Sequence, residues 1–177
     1  MERKAESRKE IEKESSMEIR KTRIEELDKV MEVYAYARKF MAEHNNPNQW
    51  KNHKPSREQI EKDILAQKHY ICEEDGQIAA VFYFAHEEDP TYEKIYEGAW
   101  LNEEAYAVVH RIASSGLVKG AGSFCMNWAS AQAKNVRIDT HEDNYVMQNM
   151  LKKCGFIQCG IIYLEDGEPR IGFQKVC

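Results

Sequence analysis

The sequence predicts one α/β domain in which a mixed sheet carries helices on both faces. The chain is 177 residues long, which suits a single domain with a substantial core. Strand-like and helix-like segments follow one another in the order β-α-α-β-β-β-α-β-α-β-β, which is typical of a mixed α/β sheet. We find neither an internal repeat nor a clear interdomain linker.

The first sixteen residues are expected to stand apart from this domain. Residues 1–16 interleave acidic and basic side chains around one aliphatic residue, Ile11, so they cannot bury an apolar face. We interpret them as a charged extension, either a solvated helix or a disordered segment, and we assign residues 17–177 to the domain.

Periodicity and capping residues define the elements of the domain. Apolar residues recur at helical spacing across residues 24–43. Ser56 is a good N-cap for a second helix, and Gly155 is a typical helix stop. The predicted helices are residues 24–43, 57–67, 121–134 and 145–154, and the predicted strands are residues 18–22, 69–74, 77–86, 105–114, 136–140, 156–164 and 170–176.

A long polar and aromatic loop, residues 87–104, separates two of these strands. A loop of this length without clear structure often serves function. Trp100 in this loop and Trp50 in another are candidates for lining a pocket, whereas Trp128 on a helix is expected in the core. Two further aromatic candidates for the pocket are Tyr83 and Tyr106.

Charge and composition argue against several classes of function. The net charge of −5 disfavours non-specific nucleic-acid binding, which needs a basic surface. No apolar run approaches the ~20 residues needed to span a bilayer, and no secretory signal opens the chain, so we expect a cytoplasmic protein without a membrane partner. The five cysteines form no CxxC pair and the six histidines show no metal-ligand spacing, so we expect reduced thiols and no metal.

Three glycines fall in one turn between a predicted strand and a predicted helix. Residues 114–123 read SSGLVKGAGS. The first turn of a helix leaves backbone N–H groups unpaired, and glycines let an anion approach them closely, with Lys119 adding a positive charge. A tight strand-to-helix loop without a ligand would give the same short pattern. The P-loop and dinucleotide fingerprints are both absent, since no GK[ST] follows and position 125 is Cys125.

The second half of the chain strengthens the anion-site interpretation. Residues 139–156, DTHEDNYVMQNMLKKCGF, place a strand end, an Asn, a short amphipathic helix and a Gly-Phe stop after the glycine-turn helix. In this arrangement the sequence resembles the GNAT superfamily of N-acetyltransferases over residues 17–176, most strongly over residues 108–163. The resemblance implies an α+β fold with a mostly antiparallel central sheet, and acetyl-CoA as co-substrate.

The resemblance also implies which residues hold the cofactor. The family's turn, (Arg or Gln)-x-x-Gly-x-(Gly or Ala), matches residues 117–122 except at Leu117. In the family the turn binds the pyrophosphate, the end of the preceding strand pairs with the pantetheine arm, and an Asn after the next strand contacts the cofactor. The implied cofactor-binding residues are Ile112, Ala113, Ser114, Leu117, Val118, Lys119, Gly120, Ala121, Gly122, Ser123 and Asn144.

The catalytic groups are less sharply defined. Some relatives use a Glu just before that Asn as general base, and the matching position is Asp139, although an Asp there could simply fix the loop. His110 is a second candidate because His titrates near neutral pH, with a core histidine as the alternative. Glu97 and Glu103 come third. Leu151 stands where many relatives carry a Tyr that protonates the departing CoA thiolate. Here the thiolate takes its proton from water or from another Tyr, or it leaves without assistance.

Together these features predict direct transfer of an acetyl group from acetyl-CoA to a primary amine in a ternary complex. The acceptor is a small molecule or a peptide, and the acidic balance of the chain suits a cationic amine. We expect a monomer or a homodimer. The departures at Leu117 and Leu151 motivate an alternative, a CoA- or metabolite-binding module without turnover.

Overall fold

The computed structural model describes residues 16–177, which fold around a seven-stranded sheet. The strands are β1 (Glu18–Lys21), β2 (His69–Glu74), β3 (Gln77–Ala85), β4 (Ala107–Ser114), β5 (Asn135–Thr140), β6 (Ile157–Tyr163) and β7 (Pro169–Val176). The α-helices are α1 (Leu27–Glu43), α2 (Arg57–Leu65), α3 (Ala121–Ala133) and α4 (Tyr145–Lys153). The strand order across the sheet is β1-β2-β3-β4-β5-β7-β6, and neighbours are antiparallel except for β4 and β5.

The fold class and the order of elements predicted from the sequence are confirmed. The differences lie at the ends of elements and in the long loop. A short 3-10 helix, Ile24–Glu26, precedes α1, and another, Pro90–Tyr92, interrupts the long loop. β4 begins at Ala107, two residues later than expected. Of the predicted extension, only Ser16 falls within the described residues.

Helices cover both faces of the sheet because its central strands are apolar on both sides. On one face, α1 and α2 pack in a cluster that includes Val81 of β3 and Ala113 of β4. On the other face, α3 and α4 pack in a cluster that includes Phe82 and Phe84 of β3. Successive residues of β3 therefore serve opposite layers, as the alternation of side chains along a strand requires.

The two parallel strands at the centre of the sheet pair over only a short stretch. Ala107 pairs with Val136 and Val108 with Arg137, and no further pair joins β4 to β5 within residues 16–177. Each strand keeps its antiparallel neighbour on the outer side, which is β3 for β4 and β7 for β5. The sheet therefore opens into a cleft between the carboxyl ends of β4 and β5.

A bulge turns the backbone of β4 beside this cleft. Arg111 has a φ of 50°, a left-handed conformation that costs a non-glycine residue on the order of 1–3 kcal/mol. The buried hydroxyl of Tyr34 donates to the Arg111 carbonyl at 2.8 Å, and Arg111 Nε donates to the Asp63 carboxylate at 2.8 Å. Burial lowers the pKa of His69 to about 3, so its neutral ring accepts from Thr22 and donates from Nε2 to Tyr34. This network holds the bulge in place.

Candidate active site

Two cavities open into the cleft between β4 and β5. We call the first the glycine-turn cavity, of about 630 Å³, lined by α1, the end of β4, the turn before α3 and the start of α4. We call the second the Asp139 cavity, of about 580 Å³, lined by β4, β5 and several loops. Both have the size of a small-molecule site. They share the lining residues Met41, Ile112, Asn144 and Met147, so they meet where the strands separate.

The N-terminus of α3 lies at the glycine-turn cavity with its backbone amides uncapped. Gly120 is the N-cap residue, and its φ of 81° is a conformation that favours glycine. It has no side chain to cap the helix, so the first N–H groups stay available to a ligand. The first turn carries no acidic residue, and Lys119 precedes it. These features favour an anionic ligand.

Most of the predicted cofactor-binding residues line this cavity. The exception is Leu117, whose side chain is 67% exposed and whose N–H donates to Ser115 Oγ at 3.3 Å. Tyr36, Phe40 and Tyr145 line the cavity as well, and the sequence did not single them out for it. The predicted residues that line it are Ile112, Ala113, Ser114, Val118, Lys119, Gly120, Ala121, Gly122, Ser123 and Asn144.

Asn144 stands between the two cavities, with both ends of its side chain engaged. Oδ1 accepts the N–H of Met147 at 3.0 Å and so caps α4. Nδ2 donates to Gln49 Oε1 at 2.8 Å. The side chain therefore fixes the start of α4 and the loop that carries Gln49, and its contact with the cofactor stays a prediction.

Asp139 lies at the end of β5, half-buried in the cavity named after it. The hydroxyl of Tyr92 donates to its Oδ2 at 2.5 Å, and its Oδ1 has no hydrogen-bond partner in the described part of the chain. Burial raises the pKa of Asp139 above its ordinary value, although the charge of His110 and the Tyr92 hydrogen bond act in the opposite direction. A carboxylate with a raised pKa is a better proton acceptor.

His110, on β4, lines the same cavity and pairs with Asp89. Its Nε2 lies 3.0 Å from Asp89 Oδ2. Burial raises the pKa of Asp89, but hydrogen bonds from His110 and Thr91 outweigh it and lower the pKa to about 2. Because the ionised carboxylate can only accept, Nε2 of His110 carries a proton, and Nδ1 is the basic nitrogen of the neutral ring. The structure thus brings both predicted catalytic residues to one cavity.

The other acid–base candidates lie elsewhere. Leu151, which stands at the position of the family's tyrosine and has no proton to donate, is fully buried in the core. Tyr145 lines the glycine-turn cavity but is 66% exposed and does not reach the shared lining. Glu97 and Glu103 are exposed and line neither cavity. The residues where the cavities meet carry no acidic proton donor.

The aromatic side chains divide between the cavity and the core. Trp50 lines the Asp139 cavity as predicted, and Trp128 packs against the apolar core, also as predicted. Trp100 and Tyr106 line neither cavity, because they stack on the guanidinium of Arg137 at 4.3 and 4.1 Å. Tyr83 is likewise outside both cavities.

Loops bring several further side chains to the Asp139 cavity that no sequence pattern pointed to. Gln49 comes from the segment between α1 and α2, which contains no recognised motif. Asp89 comes from the long loop over residues 87–104, and Tyr92 of the same loop reaches Asp139. The length of that loop was the available signal for a functional role.

Two kinds of feature are absent from the part of the chain that the structure describes. No group of three or more His, Cys, Asp or Glu side chains among residues 16–177 is arranged to hold a metal ion. Within the same residues, no helix combines the length and the apolarity needed to cross a membrane.

Comparison with solved structures places the fold in a known family. A GNAT-family acetyltransferase from Streptococcus agalactiae 2603 is 31% identical to this chain, with a TM-score of 0.84 over 91% of this chain and 95% of the other. Comparison with models of protein families gives no match, and neither does comparison with curated proteins. The chain therefore belongs to the GNAT family of acetyltransferases, which makes it an acyl-CoA-dependent N-acyltransferase.

Two more distant structures share the fold. A putative acetyltransferase from Staphylococcus aureus Mu50 is 22% identical, with a TM-score of 0.66 over 89% of this chain and 97% of the other. The aminoglycoside acetyltransferase AAC(6′)-Ib, solved in complex with ribostamycin and coenzyme A, is 18% identical, with a TM-score of 0.61 over 91% of this chain and 93% of the other.

Proposed function

We propose that the protein transfers an acetyl group from acetyl-CoA to a primary amine of a small molecule within a ternary complex. The observation that carries this proposal is the meeting of the two cavities where β4 and β5 separate. One cavity offers uncapped helix amides to an anionic cofactor, and the other holds Asp139 and His110. Holding two bound substrates in reacting geometry lowers the activation free energy by about 7–11 kcal/mol relative to their encounter in free solution.

The cofactor follows the glycine-turn cavity from end to end. Its pyrophosphate binds the first N–H groups of α3 beside Lys119, and its pantetheine arm lies along the open edge of residues 112–114. The thioester then reaches the lining that the two cavities share, next to Ile112. The complex of AAC(6′)-Ib with coenzyme A supports a CoA-based cofactor for this fold.

Asp139 is the proposed general base, with His110 as the second candidate. The amine gives a proton to Asp139, directly or through a water, and its nitrogen attacks the thioester carbonyl. The N–C bond forms and the C–S bond breaks. The CoA thiolate then takes a proton from water, because the shared lining residues supply none, and the proton held by Asp139 returns to the solvent and neutralises the hydroxide so formed.

The charges of the Asp139 cavity favour a cationic acceptor. Asp139, Glu165 and Asp166 line it without forming an ion pair with any residue in the described chain. Lys54 also lines the cavity and forms no ion pair in the described chain, so its positive charge offsets one of the three carboxylates. Arg170 lines the cavity as well, but it is paired with Glu168 at 3.4 Å. The surplus of negative charge attracts an ammonium group. The cavity volume and the ribostamycin bound by AAC(6′)-Ib support a small molecule.

Two measurements on the purified protein test the proposal. Calorimetric titration with acetyl-CoA is expected to show saturable binding to one site. Thiol release is then expected with at least one cationic amine from a panel of alkylamines, polyamines and aminoglycosides. Either of two results would overturn the proposal: no saturable binding up to millimolar acetyl-CoA, or binding without thiol release above background for every amine.

A further inference from the structure

The orientation of the Gln49 side chain is fixed by a chain of hydrogen bonds that begins at the backbone. The N–H of Met147 can only donate, so Asn144 accepts it with Oδ1 and presents Nδ2 on its other side. That Nδ2 donates to Gln49 Oε1 at 2.8 Å. Asn46 Nδ2 donates to the same oxygen at 3.0 Å, and the hydroxyl of Thr140 lies 3.4 Å from it. Three donors therefore hold Oε1 toward the protein.

This arrangement leaves the other end of the amide without a partner. Gln49 Nε2 carries two N–H groups, and neither has a hydrogen-bond acceptor within residues 16–177. Gln49 is half-buried and lines the Asp139 cavity, but it does not line the glycine-turn cavity. A ligand that fills the Asp139 cavity displaces the water that would otherwise accept from Nε2, which costs a hydrogen bond unless the ligand accepts in its place.

The loop that carries Gln49 is tied down on its other side as well. The backbone carbonyl of Gln49 accepts from Arg170 at 3.4 Å, and Lys51 forms an ion pair with Glu168 near the start of β7. The loop is thus attached both to α4, through Asn144, and to β7. A donor held by several contacts binds its ligand at a lower entropy cost than a free side chain.

We propose that Gln49 donates a hydrogen bond from Nε2 to an uncharged oxygen of the acceptor molecule, and so determines specificity in the Asp139 cavity. The proposal rests on the proposed function, in which this cavity holds the amine substrate. Asp139 then selects for the amine, and Gln49 selects for an ether, carbonyl or hydroxyl oxygen on the same molecule. A second ammonium group at this point is disfavoured, because it would face Nε2 donor to donor.

The substitution Gln49→Glu removes the donor and keeps the acceptor. A carboxylate still accepts from Asn144 and Asn46, but it offers an acceptor in place of Nε2. We would measure kcat/KM by thiol release for alkylamines and their isosteric ether analogues, beginning with butylamine and 2-methoxyethylamine and moving the oxygen along longer chains. The wild type is expected to prefer at least one ether analogue about threefold to tenfold, the value of one neutral hydrogen bond, and Gln49→Glu to lose that preference.

Two further variants distinguish the loss of the Gln49 N–H donor from the effect of added charge, and the substrate ratio removes any effect of stability. Gln49→Met removes the donor without adding charge and is also expected to lose the ether preference. Gln77→Glu adds the same charge at an exposed position outside both cavities and is expected to keep it. The ratio of two substrates on one protein is insensitive to a loss of folded enzyme.

The outcomes distinguish this inference from the proposed function. A wild type that acetylates amines without preferring any ether analogue would overturn the role of Gln49 and leave the proposed function standing. The same holds if both Gln49 variants retain the wild-type preference. A wild type that binds acetyl-CoA but acetylates no amine would overturn the proposed function, and this inference with it.

Discussion

The glycine-turn cavity and the Asp139 cavity share four lining residues, yet they are built in different ways. The side of the first that is proposed to bind the cofactor is made by one continuous segment, residues 112–123, which runs along a strand, through a turn and into a helix. The second collects side chains from three strands, two helices and several separate loops. A site made of consecutive backbone can be recognised in a sequence, whereas a site made of distant side chains exists only after folding.

The largest expected effect comes from Asp139→Asn, which tests the side-chain cavity alone. We expect kcat to fall about 10²- to 10⁴-fold, the usual contribution of a general base, while acetyl-CoA affinity stays unchanged. The acidic limb of the wild-type pH profile should lie above the ordinary pKa of an Asp, since burial raises the pKa of Asp139, and it should vanish in the variant. Steady-state kinetics measures kcat and its pH profile, and calorimetry measures the acetyl-CoA affinity.

Stability provides the control for this substitution. A carboxyl whose pKa is raised by folding contributes stability that is present below its unfolded pKa and is lost as pH rises through its folded pKa. Asp139→Asn should therefore unfold at no lower temperature than the wild type at neutral pH. Asp75→Asn, in the β2–β3 turn, makes the same charge change outside both cavities. Wild-type kcat in Asp139→Asn would shift the role of base to His110.

The next largest effect is expected from Gly122→Val, which tests the backbone-built cavity. A Cβ at Gly122 would meet protein atoms no closer than 3.6 Å, so the variant should fold. Its side chain would occupy the space beside the helix amides, and we expect acetyl-CoA affinity to fall at least about tenfold, the loss of roughly one charge-assisted hydrogen bond. Ala131→Val, at an exposed position of the same helix, should bind like the wild type. Undiminished affinity in Gly122→Val would place the pyrophosphate elsewhere.

A smaller effect is expected from Tyr34→Phe, which loosens the bulge between the two cavities. The variant leaves the Arg111 carbonyl and the His69 Nε2–H without their buried partner, which costs on the order of 1–3 kcal/mol of stability. We expect kcat/KM to fall several-fold as the bulge relaxes. Tyr70→Phe removes a hydroxyl that has no partner in the described residues, so it should change neither quantity. A fall in melting temperature without a change in kinetics would mean that the bulge does not position the substrates.

The smallest effect is expected from Leu117→Arg, which restores the family's residue at the first position of the turn. Leu117 is exposed, so the new charge would be screened, and we expect acetyl-CoA to bind more tightly by about twofold to fivefold at low salt. Calorimetry at two salt concentrations measures this gain, which should shrink at the higher one. Leu65→Arg, at an equally exposed position outside both cavities, is the matched control. If Leu65→Arg binds acetyl-CoA more tightly by the same factor, the gain comes from the net charge of the protein and not from the position of residue 117.

The contrast between the cavities also explains what the sequence could predict. Ser56 caps α2 by accepting from Gln59, and Gly155 ends α4 with a φ of 86°, because caps and stops act over a few residues. The glycine turn is local in the same sense. By contrast, Tyr92 reaches Asp139 across 47 residues, and Gln49 reaches Asn144 across 95.

The bulge at Arg111 belongs with these non-local features. Nothing in the residue type favours a left-handed backbone. The conformation is held by Tyr34 and Asp63, which come from other elements. Local pattern thus predicts the elements and the glycine turn, and tertiary packing decides the geometry of the Asp139 cavity.

The short pairing of β4 with β5 has a consequence for the solubility of the protein. A strand edge without a partner is a template for aggregation, since another chain can pair with it. Here the two unpaired edges face the interior of a cleft that α1 and α4 border. These two edges are therefore open to a narrow, flexible ligand and closed to the broad edge of another protein.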